Sequence, residues 1–210
     1  MSKKVIITIG RQYGSGGRRI GQNLAQMLSF DYYDKSLFDE ASRTSGIKRE
    51  CFERSDEKNP IPTMGIEMGF NAIYGTPFAA SGQLFEDKIF KFLSDTICKI
   101  ADGDRGAVIV GRCADYILRG RDDLFSVFVH APLDDRVRRT CQHEGLSAKE
   151  ALDKIKKTDK QRASFYNFYS DGKWGDATTY DLCIDSSFTG IDKTCDLLAS
   201  VVRTITDNER

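Results

Sequence analysis

Short apolar runs alternate along the chain with longer segments whose apolar residues recur at helical spacing. The strand candidates are residues 5–9, 30–33, 107–110, 124–130 and 180–184. The helix candidates are residues 18–28, 36–43, 83–101, 132–141, 147–166 and 191–205. In the first of these helices, Ile20, Leu24 and Leu28 share one face. Strands separated by helices predict an α/β protein, with a parallel sheet covered by helices on both faces in three layers.

One segment of the chain does not follow this alternation. Residues 48–58 are charged, and residues 60–82 are rich in proline, glycine and methionine. We expect a short helix followed by an irregular or partly helical segment. The chain is predicted to be a single domain over residues 1–210, with an acceptor-side insertion at about 35–82 and a helical lid at about 136–176. Residues 62–80 either form part of an acceptor pocket or make core or dimer contacts.

Composition and charge narrow the class of protein. The hydrophobic fraction of 40% and charged fraction of 30% are typical of a soluble globular protein. The chain has 31 lysines and arginines and 31 aspartates and glutamates. Because it has no excess of positive charge, its composition does not point to a nucleic-acid partner. No apolar run approaches the roughly 18 residues of a membrane span. The six cysteines are scattered without a Cys-x-x-Cys pair, which favours reduced thiols in a cytoplasmic protein.

A glycine-rich stretch, "GRQYGSGGRRIG" at residues 10–21, follows the first strand candidate directly. Glycines here would let backbone N–H groups approach phosphate oxygens, and the next helix would add its dipole. The candidate phosphate ligands are Gly14, Ser15, Gly16, Gly17, Arg18 and Arg19. The alternative is a tight turn followed by two solvated arginines, although basic residues at a helix N-terminus are unfavourable without an anion.

The glycine-rich stretch departs from the standard phosphate-binding pattern Gly-x-x-x-x-Gly-Lys-Ser/Thr. Counting back from Gly16, the first glycine of that pattern falls on Arg11. The chain continues with Gly17 and Arg18, where the pattern has lysine and a hydroxyl residue.

Two further strand ends carry candidate ligands. Arg112 follows the strand at 107–110, at the carboxyl edge where open α/β sheets bind ligands, and Asp115 lies three residues on. The alternative is a structural arginine paired with Asp115 or another carboxylate. Asp34, at the end of the short second strand, is a candidate for positioning an acceptor or a metal.

A third set of candidates lies on two basic helices. Arg136, Arg138 and Arg139 lie on the first, whereas Asp159 and Arg162 share a face of the second. Such helices suit a lid that stabilises a transferring phosphoryl group, and a solvated face with internal salt bridges is the alternative. The aromatic stretch "FYNFYSDGKWGD" at 165–176 is interpreted as a lid anchor rather than a base-stacking platform.

Taken together, these stretches resemble the cytidylate kinase-like family, a branch of the P-loop nucleoside monophosphate kinases. The resemblance covers nearly the entire chain. Its motifs are "ITIGRQYGSGGRRIGQNLAQML", "FDYYDKSLFDEAS", "VIVGRCADYILRG", "VFVHAPLDDRVRR", "KTDKQRASFYNFYSDGKWGD" and "YDLCIDSS", in this order.

The resemblance implies a P-loop NTPase-type fold and an ATP-dependent kinase whose acceptor is CMP or dCMP. It implies donor-phosphate binding by residues 14–19, with Mg²⁺ held mainly through phosphates and water and no metal-ligand set in the protein. Small-molecule nucleotides are the implied partners, no nucleic acid or membrane partner is expected, and homo-oligomerisation stays open. The implied catalytic residues are Arg18, Arg136, Arg138 and Arg162, and the implied acceptor ligands are Asp34, Arg112, Asp115, Asp159 and Arg162.

Departures from the family's motif leave alternatives open. Gly17 stands where cytidylate kinases have the loop lysine, and Arg18 stands where they have the hydroxyl. A nucleotide-binding module without turnover is therefore one alternative, and a P-loop kinase with a non-nucleotide acceptor is another.

Overall fold

The computed structural model describes residues 4–56 and 78–207, and its centre is a five-stranded parallel sheet. The strands are β1 (Ile6–Arg11), β2 (Asp31–Tyr33), β3 (Ala107–Val110), β4 (Leu124–His130) and β5 (Leu182–Asp185). Their order across the sheet is β2-β3-β1-β4-β5, and every neighbouring pair is parallel. The central position of β1 places the loop that follows it at the middle of the carboxyl edge.

Helices connect the strands. They are α1 (Gly17–Leu28), α2 (Ser36–Ser45), α3 (Arg49–Ser55), α4 (Phe78–Asp102), α5 (Ala114–Ile117), α6 (Leu133–Glu144), α7 (Ala148–Tyr169), α8 (Ser186–Thr189) and α9 (Ile191–Asp207). Helix α7 begins with a capping box, in which the Ser147 side chain and the Glu150 side chain each bind the other residue's backbone N–H. No helix in the described ranges is long and apolar enough to cross a bilayer.

The strands divide their side chains between two apolar layers because successive residues point to opposite faces. On β1, Ile7 and Ile9 pack with α1 and α9, whereas Ile6 packs with α2, α3 and α4. On β3, Val108 joins the first layer and Ile109 the second. The predicted three-layer α/β fold is confirmed.

A third cluster, made of aromatic side chains, attaches the end of α7 to the sheet. Phe165 and Tyr166 are buried against Phe128 of β4 and Tyr180. The ring of Trp174 packs edge-on against Phe128 at 5.2 Å between centroids. Phe165, Tyr166 and Trp174 of the aromatic stretch therefore pack on the sheet, whereas Phe168 is 52% exposed.

Two short helices, α5 and α8, are absent from the sequence prediction, and the other differences are at element ends. Strand β1 continues past its apolar run to Arg11, since its ladder with β4 pairs Gly10 with Phe128 and Arg11 with Val129. Helix α3 agrees with the short helix expected in the charged segment. Residues 78–80, predicted to be irregular, are the first residues of α4. The rest of segment 62–80 lies outside the described residues.

Candidate phosphate-binding site

The loop between β1 and α1 requires glycine at two positions. Gly14 and Gly16 have φ of 74° and 84°, in the left-handed region that disfavours other residues. A Cβ atom on Gly14 would also lie 2.9 Å from the Arg136 carbonyl oxygen and 2.9 Å from the Thr140 hydroxyl oxygen. The loop can approach α6 this closely only because residue 14 has no side chain.

The N-terminus of α1 suits an anion. No side chain caps this helix, and its first turn holds no acidic residue. The N–H of Gly17 has only a long contact of 3.4 Å with the Ser15 hydroxyl. Arg18 and Arg19 follow in the first turn, and both side chains are about 60% exposed. Unsatisfied N–H groups, the helix dipole and two arginines together make an arrangement that a phosphate would stabilise.

Asp159 of α7 and Arg136 of α6 hold one side of the loop. One Asp159 carboxylate oxygen accepts the backbone N–H of Tyr13 at 2.7 Å, and the other binds the Arg136 guanidinium at 2.6 Å. Arg136 is only 8% exposed. The predicted acceptor ligand Asp159 therefore lies against the loop, with one oxygen bound to the loop backbone and the other to Arg136.

Arg139 of α6 holds the other side of the loop. Its guanidinium donates to the Ser15 carbonyl oxygen at 3.1 Å and to the hydroxyls of Ser186 and Ser187 at 3.0 and 2.9 Å. The Ser186 hydroxyl, fully buried, donates to the same Ser15 carbonyl at 2.5 Å. The Ser15 hydroxyl donates to the Gln12 carbonyl at 2.8 Å. These bonds tie the loop to the turn after β5.

Arg112 is held rigidly at the end of β3. It is 3% exposed and has φ of 56°, a conformation that is uncommon for a residue with a side chain. Its guanidinium binds Asp34 at 2.5 Å, the Val110 carbonyl at 2.8 Å and both Asp56 oxygens at 3.1 Å. The second Asp34 oxygen binds Arg18 Nε at 2.8 Å. Asp34 therefore joins the arginine of the glycine loop to the arginine of β3.

Two cavities flank the loop and share Tyr13, Gly14, Gly16 and Arg18 as lining residues. The first, of about 370 Å³, is here called the strand-side cavity, and its lining also includes Arg11, Asp34, Asp56, Arg112 and Arg162. The second, of about 520 Å³, is called the helix-side cavity, and its lining also includes Arg19, Gln22, Arg139, His143 and Ile191. A phosphate on the shared residues would be accessible from both cavities.

The structure does not bring every predicted residue to these cavities. Arg138 is 63% exposed and pairs with Asp135, three residues before it on α6. Asp115 is buried and accepts a hydrogen bond from the Tyr166 hydroxyl instead of lining the strand-side cavity. Burial raises the pKa of Asp115 above its usual value. Arg162 lines the strand-side cavity and donates to the Arg11 carbonyl at 3.1 Å.

The sequence pattern assigns no site role to Arg11 or Asp56. It places Arg139 among the basic candidates of its helix but gives it no role of its own. The sequence did single out Arg11 in one respect, because this arginine stands where the loop pattern has its first glycine.

Protein ligands for Mg²⁺ are sparse at the loop. Within the described ranges, no three His, Cys, Asp or Glu side chains are grouped as a metal site. Asp34 has both oxygens bound by arginines, and the Ser15 hydroxyl donates to a carbonyl of its own loop. Both groups therefore already have partners within the protein.

The strand order and the position of the glycine loop after β1 define a fold of the P-loop kinase type. The shikimate kinase from Acinetobacter baumannii, solved in complex with shikimate, aligns with a TM-score of 0.52 at 12% identity. That alignment covers 99% of this chain and 97% of the other, and at such low identity it shows the fold alone.

The chain belongs to the cytidylate kinase-like family, whose model it matches over residues 6–188. The cytidylate kinase of Methanopyrus kandleri is 23% identical over 217 residues, covering 99% of this chain and 98% of that protein. The cytidylate kinase of Thermococcus kodakarensis is 25% identical over 190 residues, covering 90% and 82%. An uncharacterised protein from Eubacterium ventriosum has a crystal structure with a TM-score of 0.70 and 28% identity, covering 95% and 99%.

Proposed function

We propose that this chain transfers the γ-phosphoryl group of Mg-ATP to a nucleoside monophosphate, with CMP or dCMP as the acceptor. The observation that carries the proposal is the glycine loop shared by two cavities, one of which ends at a buried arginine. A nucleoside monophosphate kinase must bring two phosphorylated ligands to one point, and this arrangement has a cavity for each. Membership of the cytidylate kinase-like family supports the same reaction.

The donor would bind in the helix-side cavity with its phosphates on the loop residues that both cavities share, so its terminal phosphates would also face the strand-side cavity. The backbone N–H groups of residues 14–19 would bind the phosphate oxygens, and Arg18 and Arg19 would add charge. The contacts of Ser15 with Arg139 and Ser186 support this role, because they hold the loop's shape before any ligand arrives. A preformed loop loses less conformational entropy on binding.

The acceptor phosphate would bind in the strand-side cavity, where Arg112, Arg18 and Arg162 supply positive charge. One of its oxygens would attack the γ-phosphorus, the bond to the β,γ-bridging oxygen would break, and ADP would leave. Catalysis of this reaction is mainly positioning and charge stabilisation. Arg162 is the arginine of α7 that lines the cavity, and Arg136 would act by holding Asp159 and thereby the loop.

Mg²⁺ would supply charge neutralisation between the phosphates when it is bound. Asp34 would position Arg112 and Arg18 through its two oxygens rather than contact the metal. Residues 57–77 lie outside the described part of the chain. The preference for a cytosine base is supported by membership of the cytidylate kinase-like family.

An ADP-release assay with Mg-ATP and a panel of nucleoside monophosphates tests the proposal. We expect turnover with CMP or dCMP above the other monophosphates. Arg18→Ala should reduce it strongly, and Arg18→Lys, which keeps the charge, should retain more of it. Turnover with shikimate or another non-nucleotide alcohol, and with no monophosphate, would refute the nucleotide acceptor and show that the chain is a kinase of a non-nucleotide acceptor.

A nucleotide-binding module without turnover is the second candidate function. The observation that favours it is Gly17, which stands where P-loop kinases have a lysine. The same assay separates the two candidates. Binding of Mg-ATP and CMP without ADP release on any acceptor would establish the module and refute the kinase.

A further inference from the structure

The departure of the loop from the standard pattern is reciprocal. The pattern Gly-x-x-x-x-Gly-Lys-Ser/Thr has glycine at its first position and lysine at its seventh. In this chain the first position is Arg11 and the seventh is Gly17. A small residue and a cationic residue have therefore changed places, six residues apart.

The two exchanged positions touch each other. A Cβ atom on Gly17 would lie 2.7 Å from the Cβ and 3.3 Å from the Cγ of Arg11. The Val129 Cβ, also 3.3 Å away, is a further neighbour that does not depend on residue 11. The Arg11 Cβ is fixed by the backbone of β1, whereas the Cγ can move by rotation about the Cα–Cβ bond. Residue 17 can thus carry a side chain only if residue 11 does not, which makes the two substitutions sterically dependent.

Arg11 is placed to deliver its charge to the loop. It is the last residue of β1 and is 8% exposed. It lines the strand-side cavity together with Arg18, Arg112 and the loop glycines. Its backbone oxygen accepts a hydrogen bond from Arg162, which also fixes the end of the strand. A strand in the centre of a sheet holds such a side chain more rigidly than a loop would.

We propose that Arg11 is the cation that replaces the missing loop lysine, and that it binds the β- and γ-phosphates of the donor from the strand instead of from the helix. The expected effects on kcat rest on the proposed function, whereas the expected effects on AMPPNP affinity and on Tm do not require turnover. A guanidinium can bind phosphate oxygens in a bidentate manner, so arginine meets the chemical requirement.

Four variants test the exchange by kinetics: Arg11→Met, Arg11→Lys, Arg11→Gly and Arg11→Gly/Gly17→Lys. Arg11→Met keeps the aliphatic packing without the charge, and it should lower kcat by at least about 100-fold, the usual effect of losing one charge-stabilising group. Arg11→Lys should retain more activity than Arg11→Met. The double variant Arg11→Gly/Gly17→Lys restores the standard pattern, and it should exceed Arg11→Gly at least about tenfold. Equal rates for Arg11→Met and the unmodified protein would overturn the proposal.

Binding of a non-hydrolysable ATP analogue, AMPPNP with Mg²⁺, separates this proposal from the proposed function. Arg11→Met should weaken AMPPNP binding by about tenfold or more in isothermal titration, and Arg11→Gly/Gly17→Lys should recover it relative to Arg11→Gly. This result would support the role of Arg11 even if no acceptor were phosphorylated. Unchanged AMPPNP affinity in Arg11→Met would refute that role even if the chain proved to be a kinase.

The steric dependence between residues 11 and 17 can be measured from thermal stability, without a ligand. Gly17→Ala should lower the Tm by at least about 4 °C in the unmodified background, because the added methyl group overpacks against Arg11. The same change in the Arg11→Gly background should cost less, and the comparison cancels the difference in helix propensity. An equal loss in both backgrounds would show that the two positions are independent.

Discussion

Two adjacent arginines of α6 differ sharply in what they contact. Arg139 donates to the Ser15 carbonyl and to the hydroxyls of Ser186 and Ser187, whereas Arg138 pairs only with Asp135 among the contacts resolved for it. Arg139→Ala should therefore destabilise the protein and its loop, and Arg138→Ala should do neither. The two variants remove the same side chain from the same helix, so each controls for the other.

The magnitude follows from the contacts. Hydrogen bonds of a charged group contribute about 1.5–3 kcal/mol each, but bonds that share one guanidinium are not additive. We therefore expect Arg139→Ala to lower the free energy of unfolding by about 2–3 kcal/mol. Arg138→Ala removes an exposed ion pair and should change it by less than about 0.5 kcal/mol. For a domain of this size the Arg139 loss corresponds to a fall in Tm of about 5–10 °C.

Urea unfolding followed by far-ultraviolet circular dichroism measures both variants. Titration with Mg-AMPPNP adds the effect on the loop, since Arg139→Ala releases the Ser15 carbonyl and should weaken binding about tenfold. The reasoning would be refuted if Arg138→Ala lost as much stability and affinity as Arg139→Ala, or if both variants matched the unmodified protein.

Three further predictions follow from the site. Asp159→Ala should cost about 3 kcal/mol in urea unfolding, because it leaves the nearly buried Arg136 without its carboxylate. Gly14→Ala should abolish AMPPNP binding in titration, since its φ of 74° and the close approach of α6 exclude a methyl group. Asp115→Asn should raise the Tm at neutral pH, because burial raises the pKa of Asp115 in the folded state. The folded protein then binds more protons than the unfolded one between the two pKa values, so this advantage should shrink as the pH falls through that window. If the Tm difference between Asp115→Asn and the unmodified protein were the same at pH 7 and pH 4, the prediction for Asp115 would be contradicted.

The fold could be predicted from the sequence because its signals are local. Apolar runs and helical spacing are properties of neighbouring residues, and they placed the strands and helices to within a few residues. The end of β1 is an instructive error. The apolar run ends at Ile9, but the ladder with β4 carries the strand on to Arg11. A pairing partner about 120 residues away is not visible in a local pattern.

The site was only partly predictable for a similar reason. The glycine loop and Arg112 lie directly after strands, so their place at the carboxyl edge follows from the topology. The choice between Arg138 and Arg139 depends instead on the rotation of α6, where one residue turns the side chain by about 100°. The contact of Asp159 with Tyr13 joins residues 146 apart in the chain. Neither residue type indicates from the sequence that the two will meet.

The most direct test of the account is to incubate the chain with Mg-ATP and CMP and to identify the products by mass spectrometry. The account predicts CDP and ADP in equal amounts, with formation of both reduced in Arg18→Ala. Absence of any nucleoside diphosphate other than background ADP, from CMP and from every other monophosphate, would contradict it.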